Sequence, residues 1–162
     1  MSMKSIRWSA LRLVSALVTI IVGGCAIGTP FPRWQATTAE RDQQVVLVIT
    51  RIVVNPSKRR EFDRQTSLVI NSMPSHKGLL GYSARRELFG DQGWTISVWA
   101  DDAARQNFVR SAVHRRAIQQ SESAIVTVEL KRLTLSRSAL PNNWASALVL
   151  FDGPANKRTY IH

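Results

Sequence analysis

Residues 94–118, WTISVWADDAARQNFVRSAVHRRAI, decide the fold. Trp94 to Trp99 alternates apolar and small polar side chains and reads as a strand. Asp101 and Asp102 then open a helix, placing carboxylates where its first amides and its dipole favour negative charge. Along that helix Phe108, Val109, Ala112 and Val113 form one apolar arc. On an unbroken helix His114 points nearly opposite that arc, toward water. A break near Ser111, with the serine capping a new segment, would redirect it.

Working outward, Val45 to Val54 (VVLVITRIVV) is β-branched and apolar on both faces, a strand covered on two sides. Asn55-Pro56-Ser57 ends it and starts a helix with proline in its first turn. Phe62, Thr66, Val69, Ile70 and Met73 fall on one arc of that helix. Pro74 to Gly78 breaks it. Leu79 to Leu88 reads as the next strand, Gly90 to Gly93 as a turn, and Ala124 to Leu135 as the last strand.

Residues 45–135 therefore run β-α-β-β-α-β, the ferredoxin-like arrangement of an α+β fold. Beyond it, 136–162 reads as a short C-terminal helix and tail. Trp144, Leu148 and Phe151 recur at helical spacing, and Gly153 to His162 is polar. Two helices cover one sheet face, yet the first and last strands are apolar on both. A second subunit is the expected cover, giving a homodimer with packed sheets.

The 162-residue chain carries a net charge of +11. Residues 1–24 read as a lipoprotein-type signal peptide: Lys4, Arg7 and Arg12 precede an apolar run, and small residues lead to Cys25. Leu13 to Ile27 is shorter than the ~20 residues of a spanning helix. Val22-Gly23-Gly24-Cys25 resembles a lipobox, so Cys25 is the expected lipidation site and the chain is expected at the cell envelope, held to a membrane by its lipid. Residues 25–44, with two prolines and no period, read as a linker. The basic side chains are dispersed, and nucleic acid is a poor partner for an exported chain.

Three histidines and one cysteine show no metal-ligand spacing, so no metal site is expected. No phosphate-binding, dinucleotide or nucleophile-elbow motif is present. Trp99, ending its strand, is either a stacking wall for a flat ligand or an ordinary core tryptophan. Arg51 interrupts the first strand and either lines a pocket or pairs with Glu129 on the last strand.

Within this frame, Gly78-Leu79-Leu80-Gly81, the strand Trp94–Trp99, the helix start at Asp102-Ala103-Ala104 and the Ala112-Val113-His114 triplet resemble the antibiotic biosynthesis monooxygenase family of the dimeric α+β barrel superfamily. Leu140-Pro141-Asn142-Asn143-Trp144 is similar to a tail in some members. The resemblance implies a pocket between helices and sheet, and cofactor-free oxidation of a flat aromatic or quinol-type molecule. His114 would be the catalytic base, with Trp99, Thr50 and Arg51 binding substrate. Haem-degrading relatives pair a strand-one asparagine, a strand-three tryptophan and a late helix-two histidine. Here those places hold Thr50, Trp99 and Ile118, with His114 one turn earlier, so haem is not the expected cofactor. The alternative is a non-catalytic envelope lipoprotein, either binding haem, a quinone or another small hydrophobic ligand, or purely structural.

Overall fold

The computed structural model describes residues 26–33, 37–154 and 157–161. The leader, Cys25 and His162 lie outside the described residues. The ten main elements are β1 (Ala26–Gly28), β2 (Gln44–Val54), α1 (Arg59–Ser72), β3 (Leu79–Glu87), β4 (Gln92–Trp99), α2 (Asp102–Val109), α3 (Ala112–Ser121), β5 (Ile125–Ser136), α4 (Trp144–Asp152) and β6 (Lys157–Ile161). The strands form one open antiparallel sheet in the order β1-β3-β4-β2-β5-β6. The inner four have the ferredoxin-like arrangement that the hydrophobic pattern predicts.

Two short edge strands extend it. Ala26–Gly28, within the stretch read as a linker, pairs with Glu87 to Arg85. Lys157–Ile161, within the polar tail, pairs with Thr127 to Lys131. Each is too short or too charged to show a hydrophobic period, and charged edge strands read like solvated tails.

Alternation along β2 sends Val46 and Val48 to one face and Val45, Leu47 and Ile49 to the other. The first face packs on α1 and α2 through Met73, Val69, Phe108 and Ala104, with Trp99 between them. On the second face Val45, Leu47, Ile49, Ile96 and Val98 pack against Ala147 and Phe151 of α4. The chain therefore supplies its own cover there. Around Phe151 these side chains are buried within one chain, whatever a second subunit adds.

Three contacts hold α4 in place. At its start, the Arg85 guanidinium sits 4.8 Å from the Trp94 ring centroid and 5.1 Å from that of Trp144. Near its end, Phe151 is buried under the Arg51 guanidinium, 5.8 Å from the ring centroid. Beyond it, buried Lys131 donates from Nζ to the Phe151 carbonyl (3.4 Å) and the Gly153 carbonyl (2.5 Å). A cation at a helix C-terminus meets unsatisfied carbonyls and the negative end of the dipole. Lys131→Met is expected to cost about 1–3 kcal/mol in urea unfolding, the range for stranding buried polar partners. A change within error would mean that the ammonium does not secure α4.

Candidate functional site

The site grows from the end of β4. Trp99 is fully buried, and its Nε1 donates to Ser97 Oγ at 3.0 Å. Phe108, on the last turn of α2, stacks on it with centroids 5.1 Å apart and planes 26° apart. Two histidines flank Phe108. The His76 ring meets it edge-on at 5.0 Å, and the His114 ring lies 4.6 Å away.

His114 reaches this place because the helix is broken. α2 ends at Val109, and Ser111 adopts an extended backbone and caps α3, accepting from the His114 amide at 3.3 Å. The break reorients the side chain, so the imidazole turns toward Phe108 and not toward water. Its Nδ1 lies 3.2 Å from the Val109 carbonyl oxygen. A carbonyl only accepts, so Nδ1 donates and the neutral ring keeps its lone pair on Nε2. One junction thus caps both helices and fixes the tautomer.

Burial pushes His114 below the ordinary imidazole value of 6.5; the Val109 carbonyl opposes that shift, and His76, when charged, adds to it. The neutral form therefore prevails at neutral pH. A histidine with a depressed folded-state pKa binds its proton more readily when unfolded, so its contribution to stability is present above 6.5 and lost as pH falls through the folded value. Thermal unfolding between pH 7.5 and 5.5 is expected to fall less steeply in His114→Gln than in the parent. Parallel slopes would contradict the assignment.

His76 arrives from the loop after α1. Pro74 stops that helix, and Gly78 turns the chain with φ +78°. A Cβ on Gly78 would lie 2.5 Å from the Ala104 Cβ of α2, so only glycine lets the loop approach this closely. The His76 Nε2 is buried and has no hydrogen-bond partner among the described residues. His76 and Phe108 were not singled out for the site from the sequence. The Pro74-to-Gly78 punctuation was the available signal.

The other expected residues are dispersed. Thr50 is half-buried on the helix-covered face, opposite Thr95, whereas Trp99 pairs with Val46. Four residues of strand separate the two positions, roughly 13 Å. Arg51 lies on the α4 face and pairs with Glu129, its register partner on β5. It therefore does not share a site with Trp99 and His114. Ile118, near which the resemblance placed the haem degraders' histidine, is about half exposed. Among the described residues no cluster of three or more His, Cys, Asp or Glu could hold a metal ion.

Asp102 anchors the start of α2 beneath this cluster. It accepts from Arg105 at 2.6 Å, Gln106 at 2.7 Å and Arg132 of β5 at 3.2 Å. Hydrogen bonds from Arg105 and then Gln106 hold its carboxyl far below the usual carboxylate range.

Residues 45–120 match the antibiotic biosynthesis monooxygenase family. They include every member of the Trp99, Phe108, His114 and His76 cluster. No curated protein matches the chain. Among solved structures, a Pseudomonas aeruginosa protein superposes with a TM-score of 0.53 at 18% identity, over 57% of this chain and 94% of its own. A Caulobacter crescentus protein, described as a candidate antibiotic biosynthesis monooxygenase, gives 0.53 at 15% identity, over 62% and 94%. A candidate monooxygenase from Lactobacillus acidophilus gives 0.51 at 17% identity, over 61% and 50%. Identities this low support a shared fold.

Proposed function

We propose that this monooxygenase-type domain oxidises a flat phenol- or quinol-type aromatic with molecular oxygen, using His114 as general base. The observation that carries the reading is the His114 imidazole, neutral at neutral pH, fixed through Nδ1 and beside the aromatic stack. Nε2 would take the proton of an acidic hydroxyl, a step for which the neutral imidazole is available at neutral pH. The resulting electron-rich ring anion would attack oxygen and form a carbon–peroxide bond. Loss of water then leaves a quinone carbonyl: two hydrogens leave the substrate, one oxygen atom stays and the other departs as water. The electrons come from the substrate, so the proposal needs neither metal nor flavin.

Trp99 would supply the stacking surface, a contact worth about 0.5–1.5 kcal/mol beyond buried area. Phe108 occupies that surface in the structure, so substrate must displace it. Phe108 sits three residues before the cap of α3, in the last turn of α2, and a turn of its side chain would clear the Trp99 face. The same packing favours a second reading, in which the stack is simply core and the domain does not turn over. An oxygen electrode with a panel of quinols and polycyclic phenols separates the two. Uptake that survives a strong chelator is the expected result; none with any member would favour the second reading.

The leader and Cys25 support a further proposal, that the chain is exported and held at the envelope by lipid on that thiol. Cys25→Ser is expected to remove the lipid mass from the isolated chain. An unchanged mass would end that reading.

A further inference from the structure

We infer that the tip of the β3–β4 hairpin is a membrane-contact surface for anionic phospholipid headgroups, placed beside the lipid anchor; the inference rests on the reading of Cys25 as that anchor. Three observations converge on the tip. Phe89 is 92% exposed and Leu88 38% exposed, side by side on the turn. An aromatic presented this fully contributes nothing to the core, and such rings partition well at a bilayer interface.

The second observation is the register of β1. Ala26 pairs with Glu87, the residue before Leu88. Cys25 is the next residue back along the sequence. The stretch read as a flexible linker is, at this point, an edge strand. A lipid on Cys25 therefore holds this corner of the sheet at the membrane, with the hairpin tip as its neighbour.

The third is charge. Arg59 at the start of α1 donates to the carbonyls of Glu87 (3.3 Å) and Gly90, tying that helix end to the turn. Its neighbours Lys58 and Arg60 are exposed and form no ion pair among the described residues. Of the nearby acids, Asp63 pairs with Arg86 at 3.6 Å and the Glu87 carboxylate accepts weakly from the Gln92 amide at 3.4 Å. Asp91, in the turn itself, forms no ion pair among the described residues, so three cations at 58–60 stand against Asp91 and a weakly held Glu87. Exposed apolar side chains rimmed by free cations match an anionic lipid surface, where one acyl anchor commonly acts with a basic patch.

The test uses the full chain in vesicles containing phosphatidylglycerol. A fluorescent coumarin amino acid replaces Phe89 in one protein and Ser138 in another. Ser138 is exposed just beyond β5, at the end of the sheet remote from the tip, on the order of 30 Å away along an eleven-residue strand. Headgroup spin-labelled lipid is expected to quench the probe at 89 and spare the probe at 138. Removing Lys58 or Arg60 should weaken this contact by about five-fold for each residue.

Equal quenching at both positions, or none at 89, overturns the inference. Intact mass of the same samples tests the anchor separately. A chain without lipid that is still quenched at 89 keeps the surface and refutes the anchor. A lipidated chain with no quenching at 89 does the reverse.

Discussion

Phe151→Ala destabilises the protein by about 3–5 kcal/mol in urea unfolding, the range for emptying a buried phenylalanine site. The ring is 1% exposed and packs on the cluster formed by Val45, Leu47, Ile49, Ile96 and Val98. Domains of this size are stable by only about 5–15 kcal/mol, so one side chain of α4 carries a large share of the margin. Phe151→Leu, which refills most of the volume, should recover much of the loss. The truncated variant also bares an apolar sheet face and is expected to self-associate in sedimentation. A loss under about 1 kcal/mol would show that α4 does not form the second layer.

His114→Ala lowers kcat for quinol oxidation by about 10²–10⁴-fold, the usual contribution of a positioned base, and changes KM little. In the proposed mechanism its imidazole acts on the proton, and Trp99 supplies the stacking surface. The rate of the parent should hold as pH falls through 6.5 and drop only below it, because burial keeps the ring neutral. A matching fall in kcat and binding would instead assign His114 to ligand contact. An unchanged kcat would remove it from the chemistry.

The sheet and its helices were legible because their patterns are local. Trp94 to Trp99 alternates, Asp101 and Asp102 cap, and Pro74 stops a helix whatever lies beyond. Asp101 accepts from the Ala104 amide at 2.7 Å, as an N-cap aspartate should. The place of α4 was not legible. Helical spacing of Trp144, Leu148 and Phe151 signals an amphipathic helix but not which face receives it, and a second copy was the other available cover.

At the site, Ser111 was the informative residue, since its capping geometry alone decides where His114 points. Thr50 and Arg51, both expected to bind substrate, lie on opposite faces of the sheet. Adjacent strand residues face opposite ways, and Arg51 lies over Phe151 while Thr50 faces the helices. His76 enters through a loop turned at Gly78, a tertiary approach with no hydrophobic period to announce it.

The proposed function requires His114 to be a neutral base with its lone pair on Nε2. Long-range proton–nitrogen correlation spectra of the histidine rings test it most directly, following His114 through a pH titration. The expected result is a ring protonated on Nδ1 at pH 7, titrating below the ordinary imidazole value. A ring protonated on Nε2, or one charged at pH 7, would contradict it.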